Sequence, residues 1–492
     1  MTETRIVNSP ILQEYLRQIA PDRGVFIGGE FRAAEKTFAV TDPATGDVVG
    51  QIADGSSADA QAAVEAAEQA LVAWRQTSPR ERSVILRRAF DLMLEEEEQL
   101  TLLISAEHGK ALTDARAEVR YAAEFFRWFS EEAVRIEGTY VPAPGGGART
   151  IVTHRPIGVV ALITPWNFPA AMATRKLAPA LAAGCTALLR PASLTPLTSL
   201  AVMHILVRAG VPAGVVNMVP SSHASEISDI WLAAEPVRAV SFTGSTRVGQ
   251  ILMAEAAKRI LVSSMELGGN APFVVAPDAD LDAAVEGALV AKLRGGGQAC
   301  TAANRLYVHA DVAEEFTRRY VARISAMPVG PAIDPHTQIG PVISEAAAAE
   351  MHGYVDGALA EGARMALQLE VPCGGSFFPP TVLTDVPLDA TILQTEVFGP
   401  ISPIATWTDE EELLAAVNGT EFGLASYVFS QDLQWAMKFA ESMEVGMVGI
   451  NRGLISDPAA PFGGVKQSGI GREGGHEGVH EFLETQYLSV NW

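Results

Sequence analysis

Cys300 stands in GGGQACTAANRL, residues 295–306, with only small side chains beside it. A thiolate so placed could attack an electrophile and form a covalent intermediate. MELGGN, 265–270, offers a carboxylate at Glu266 before paired glycines, a group suited to general-base work. ITPWNFP, 163–169, offers the side-chain amide of Asn167, a donor that could face a developing oxyanion. Taken singly, each has an ordinary alternative. A lone cysteine packs as a small hydrophobe, and both Glu-x-Gly-Gly and Asn-Phe-Pro occur in turns.

Two formal motifs lack the context their chemistry needs. Gly469, Gly471 and Gly474 spell G-x-G-x-x-G, but PFGGVKQS before them reads as a loop and only 18 residues follow. A dinucleotide fingerprint needs a strand before it and a helix after it. His476-Glu477-Gly478-Val479-His480 spells H-E-x-x-H, yet Gly474, Gly475 and Gly478 weaken any helix there. A polar segment leading into a strand at QYLSV is expected instead, and no metal is assigned.

Elements must hold the three chemical stretches together. The 492 residues exceed a single core, so two or three domains are expected. Ser78-Pro79-Arg80-Glu81 is a capping box that opens a helix with Ile85, Leu86, Ala89, Phe90, Met93 and Leu94 at helical spacing. An earlier helix covers about 58–76, after a strand-and-turn start at FIGGEF and DPATG. From 157 onward short β-rich runs alternate with helices: GVVALIT, TALLRP, GVVNMVP, AVSFTG, LVSSMEL and APFVVA. Such alternation predicts parallel, doubly wound sheets with helical crossovers. GGGART, 145–150, reads as a hairpin tip.

A net charge of −22 argues against a nucleic-acid or anionic membrane surface. The longest apolar stretch, 157–173, contains two prolines and an asparagine, which fits a buried strand and turn rather than a membrane span. MTETRIVNSPILQEYL has no apolar core of the secretory type. Three cysteines without a close pair argue against a disulfide framework, and a reducing cytoplasm is the expected compartment.

Taken together and in this order, ITPWNFP, SFTGSTRVG (241–249), MELGGN and GQAC resemble the aldehyde dehydrogenase superfamily. The resemblance runs from DPATG at 42–46 through PFGGVKQSGIGREGG at 461–475, and is greatest to succinate-semialdehyde dehydrogenases. It implies an α/β fold with a Rossmann-type cofactor domain (1–138 and 157–268), an α/β catalytic domain (269–477) and a small β oligomerisation arm (139–156 and 478–492). It implies a homodimer or homotetramer.

The resemblance also implies roles. Cys300 attacks the aldehyde to give a thiohemiacetal, Asn167 and the Cys300 N–H stabilise its oxygen, and Glu266 activates the water that hydrolyses the later thioester. NADP or NAD accepts the hydride. Gly244 and Ser245 at a helix start face the pyrophosphate. Glu396 holds the nicotinamide ribose, Phe398 packs on its ring, and Trp166 and Leu267 line the site. Where the family has Lys-Pro-Ala/Ser-Glu near the adenosine ribose, this chain has Arg190-Pro191-Ala192-Ser193. Loss of the glutamate charge and gain of Arg190 favour a 2′-phosphate. Val219-Pro220-Ser221-Ser222 replaces the family's glycine-containing turn. Arg175, Arg294 and Ser456 match the groups that hold the far carboxylate of succinate semialdehyde, with Phe168 and Phe462 along its methylenes. Structural salt bridges are the alternative role for the two arginines.

Glutarate semialdehyde is the nearest competing substrate. The remote alternative is a cysteine hydrolase or acyltransferase using Cys300 and a histidine, though no histidine has a recognisable partner motif. Some succinate-semialdehyde dehydrogenases carry a second cysteine two residues past the nucleophile. Ala302 stands there, so no disulfide switch is expected.

Overall fold

The computed structural model describes residues 5–19 and 24–491; the first four residues of the N-terminal stretch lie outside them. An eight-stranded sheet runs in the order Glu30–Arg32, Val25–Ile27, Val216–Met218, Thr186–Arg190, Val159–Ile163, Val237–Thr243, Val262–Glu266, Gly469–Ile470. Its five central strands are parallel, as βαβ alternation requires. The strands from Val25, Glu30 and Gly469 add antiparallel edges. A seven-stranded sheet gathers Arg364–Gln368, Thr381–Thr384, Ile401–Trp407, Ala303–His309, Ala271–Val275, Ala425–Phe429 and Met447–Ile450. All its pairings are parallel except that of Arg364–Gln368. Leu483–Val490, Arg149–Pro156 and Thr139–Pro142 form a third, antiparallel sheet.

Register decides where the loops meet. Ile163 pairs with Arg190 and Phe242, and Thr243 pairs with Glu266. The loops after these strands, at 164–168, 191–195, 244–245 and 267–270, therefore leave one carboxyl edge of the first sheet, the usual ligand side of such sheets. Ala271 pairs with Ala303 at the start of two strands of the second sheet. Residues 267–270 thus cross from the carboxyl edge of one sheet to the amino edge of the other, beside the Cys300 loop.

The helix Pro169–Ala183 is buried along its whole length. Its alanine-rich sequence lets it pack against the first sheet and the helix Leu112–Glu132, with Pro169 where a missing N–H costs nothing. Ser78 and Glu81 form the expected capping box, and Ser56 and Asp59 form another at the helix Ser57–Trp74. The hairpin tip occupies 143–148.

Gly469 sits in an antiparallel edge strand rather than a phosphate loop. The 476–480 segment forms a 3-10 turn, Glu477–Phe482, with Nε2 of His476 and His480 3.3 Å apart. Among the described residues no three His, Cys, Asp or Glu side chains converge to hold a metal. No described helix is long and apolar enough to cross a membrane.

Candidate active site

One cavity is lined by Trp166, Asn167, Phe168, Arg175, Gly244, Ser245, Leu267, Arg294, Cys300, Glu396, Phe398, Ser456 and Phe462, together with Tyr121, Met172 and Thr243. These residues come from the helices Leu112–Glu132 and Pro169–Ala183, from the strand end at Thr243 and from loops that flank strands of both large sheets. Glu266 is not part of its wall, and neither is the 190–193 segment.

The small residues around Cys300 serve the backbone first. Gly295, Gly296 and Gly297 have φ of 62°, 69° and 77°, a left-handed run that side chains with a Cβ resist. A Cβ on Gly297 would also lie 2.4 Å from the Gly399 carbonyl oxygen. The Gly295 N–H donates to Asp114 at 2.7 Å, and the Tyr427 hydroxyl donates to the Thr301 carbonyl at 2.8 Å. The loop carrying Cys300 is thereby fixed on both sides.

The Cys300 thiol is pushed up to about 12, by burial first, with Arg175 and Arg294 opposing and Glu396 and Glu266 adding to the rise. At neutral pH Cys300 is therefore a thiol. Alkylation of Cys300 by iodoacetamide, read peptide by peptide because Cys373 is exposed, is expected to climb with pH without levelling up to at least about pH 9. A plateau near neutrality would contradict this environment.

The Asn167 amide donates to the Gln298 carbonyl at 3.0 Å, and Gln298 is held in turn by the Ile343 N–H at 2.9 Å. One amide hydrogen of Asn167 remains for the cavity. Glu266 is buried with neither carboxyl oxygen bonded. A Cβ on Gly463 would stand 2.8 Å from its Oε1, so that glycine makes room for the carboxyl. Burial and the nearby Glu473 charge raise the Glu266 pKa well above the carboxylate range, against Arg175, Lys176 and Arg472. Glu473 itself is ionised: Arg175 Nε and Lys176 Nζ each lie 2.5 Å from its carboxylate.

The two arginines differ. Arg175 pairs with Glu473, as the structural alternative expected, yet it also faces the cavity with its guanidinium 4.1 Å from the Phe462 ring centre. Arg294 lies 5.2 Å from the Phe168 ring centre, and among the described residues no acid lies within ion-pairing distance of it.

Three helix starts approach this edge. Glu118 accepts from Ala170 and Ala171 at the start of Pro169–Ala183. Glu107 accepts from Leu197 and Thr198 at the start of Pro196–Ala209. Thr246–Ala257 has no side-chain cap from Ser245, and Thr243 Oγ1 beside it is buried without a partner. Of these three, that start is the one left open for an anion. Glu396 accepts from the Gly269 N–H at 3.0 Å, and burial pushes its carboxyl up to about 7. Trp166 and Phe398 meet edge to face at 5.5 Å. Arg190 ends its strand with Nε buried and unbonded. The Val219–Ser222 turn is tied to Asp54, which accepts from Ser221 Oγ and from Ser222 N and Oγ. Open amides, unbonded Thr243 and Arg190 atoms and a buried carboxylate fit a dinucleotide in kind.

Glu473, Gly463, Ser468 and Tyr121 were not singled out from sequence. Ser468 Oγ donates to the Gly268 carbonyl at 2.7 Å, and its own carbonyl accepts from Leu267. Glu473 lies inside the discarded glycine motif. The adjacent cations Arg175 and Lys176 in an otherwise apolar helix were a signal that a buried acid must face them.

The family model for the aldehyde dehydrogenase family matches residues 31–488. A succinate-semialdehyde dehydrogenase of Paenarthrobacter nicotinovorans is 53% identical over 441 residues, covering 89% of this chain and 98% of that protein. A glutarate-semialdehyde dehydrogenase of Pseudomonas putida is 47% identical over 468 residues, covering 95% and 97%. A crystal structure of an NADP-dependent enzyme from E. coli superposes with a TM-score of 0.94 at 46% identity, covering 96% and 98%. With its glycine-bedded cysteine, its open helix start and relatives matched along nearly their whole length, this chain belongs to the aldehyde dehydrogenase family and is an oxidoreductase.

Proposed function

We propose that the protein oxidises succinate semialdehyde, or a close aldehyde bearing a far carboxylate, to the dicarboxylate, using NADP or NAD. The observation that carries this is Arg294. It lines the cavity together with Arg175 and Ser456, and has no acid partner among the described residues. A partly buried cation of this kind gains from an anionic ligand. Phe168 and Phe462, each beside one of these arginines, line the same cavity and suit a short methylene chain. The named activities of the two relatives above agree with this chemistry.

Cys300 gives its thiol proton to water and adds through sulfur to the aldehyde carbon, and the Asn167 amide with the Cys300 N–H holds the oxygen that becomes negative. A nicotinamide held beside Cys300 would accept the hydride from the adduct, and Cys300 would then carry an acyl thioester. Glu266 then turns into the cavity, takes a proton from water, and the resulting hydroxide releases the acid. Glu396 would hold the nicotinamide ribose, Phe398 and Trp166 its ring, Leu267 its edge, and Gly244 with Ser245 the pyrophosphate. Arg190, Pro191, Ala192 and Ser193 would frame the adenosine ribose.

Arg190 has an unbonded buried Nε, and burial lowers its pKa to about 10. A 2′-phosphate would give this cation a partner. NADP⁺ is therefore expected to give a kcat/KM at least equal to that of NAD⁺, and Arg190→Ala is expected to weaken NADP⁺ more than NAD⁺. A strong preference of the unaltered enzyme for NAD⁺ would contradict this. The reaction itself is tested by following reduced cofactor with succinate semialdehyde and with butanal. Equal rates would defeat the assignment.

A further inference from the structure

The helix Leu112–Glu132 carries Asp114, Glu118 and Tyr121, spaced four and three residues apart along one face. All three turn to the cavity's supports rather than to water. Asp114 takes the Gly295 N–H of the Cys300 loop, and Tyr121 lines the cavity with Arg175, whose charge opposes the rise that burial gives the Tyr121 pKa. Glu118 works with Lys110, which lies on the turn just before the helix.

We propose that Lys110 and Glu118 are positioning residues that hold Asn167 against the reacting centre. Lys110 Nζ lies 2.6 Å from Glu118 Oε2 and 2.7 Å from the Asn167 carbonyl oxygen. It also sits 4.0 Å from the centre of the Phe168 ring. Three directions around one ammonium are thus filled by a carboxylate, the Asn167 backbone and an aromatic face. Glu118 Oε1 takes the Ala170 and Ala171 N–H groups at 2.9 and 3.3 Å. It caps a helix whose own N-cap residue, Phe168, provides no side-chain cap. The two charged side chains are 1% and 0% exposed.

A buried ion pair is a weak source of net stability, because desolvation offsets its attraction. Its geometric consequence here is definite. The Asn167 backbone is held from one side by Lys110, and its side-chain amide from the other by the Gln298 carbonyl. With Lys110 gone, the 167–168 peptide loses one of these two restraints, and the amide can drift from the thiohemiacetal oxygen. Displacements of about 1 Å at such a donor can cost on the order of 100-fold in rate.

This inference rests on the oxyanion role proposed for Asn167. Its test is a double-mutant cycle on the single-turnover rate of reduced-cofactor formation. The Lys110→Met/Glu118→Gln enzyme removes both charges while leaving Gln an oxygen for the helix amides. Its rate is expected to fall roughly 10- to 100-fold, with dinucleotide affinity retained. In an Asn167→Ala background the same pair of changes is expected to have little further effect. If the paired variant does not fold, Glu118→Gln alone enters the same cycle, with a smaller loss and the same dependence on Asn167. Losses that multiply in the Asn167→Ala background would overturn the positioning role and leave the oxyanion reading standing. An Asn167→Ala enzyme with an unchanged rate would overturn the oxyanion reading itself, and the inference with it.

Discussion

Cys300→Ala is expected to lower dehydrogenase turnover by at least about 10⁴-fold, whereas Glu266→Gln keeps a first turnover and then stalls. In the proposed mechanism the two residues act at different steps. Without the thiol no covalent adduct forms, so no reduced cofactor appears even in the first turnover. Without the Glu266 carboxylate, addition and oxidation still proceed, and the acyl group stays on sulfur. A burst of reduced cofactor matching the enzyme sites, followed by a steady rate lower by about 10²–10⁴-fold, is the signature. Glu266 works as a base only when ionised, and burial with the Glu473 charge raises its pKa. The steady rate of the unaltered enzyme should therefore rise with pH above the ordinary carboxylate range, and Glu266→Gln should remove that rise. Full steady turnover in Glu266→Gln would sink its assigned role.

Arg294→Ala is expected to cost about 30- to several-thousand-fold in kcat/KM for succinate semialdehyde, and little for butanal. The range corresponds to about 2–5 kcal/mol for a lost contact between a partly buried cation and carboxylate. Arg294 is a cleaner probe than Arg175, because among the described residues no ion pair breaks when it is removed. Arg175→Ala takes one of two cations from the buried Glu473, so lost stability accompanies any lost specificity, on the order of 3–5 kcal/mol for a broken buried pair. Equal losses for the two aldehydes in Arg294→Ala would show that this residue shapes the pocket without reading the carboxylate.

Much of the molecule was legible because its signals are local. Capping residues marked the helix at Pro79, and the alternation after 157 marked the parallel strands. The gathering of Cys300, Asn167, Glu396 and Arg294 in one cavity followed from motifs whose order carries the resemblance. What stayed hidden depends on distance in sequence. Glu473 meets Arg175 and Lys176 from 297 residues away along the chain, counted to Lys176. Glu118 reaches the Asn167 segment from 52 residues before Ala170. No periodicity reports such pairs. The glycines of 295–297 could be read as clearing space, but their left-handed backbone and the approach of Gly399 emerge only in three dimensions. That Glu266 is not among the cavity-lining residues, and that Gly463 makes room for its carboxyl, also emerges only in three dimensions.

The central claim, an aldehyde oxidation selected by a far carboxylate, is tested most directly by kcat/KM of the unaltered enzyme at saturating NADP⁺ for succinate semialdehyde, glutarate semialdehyde and butanal. Succinate semialdehyde is expected to lead, glutarate semialdehyde to follow as its nearest competitor, and butanal to trail succinate semialdehyde by at least about 30-fold. Butanal equal to succinate semialdehyde would contradict the account.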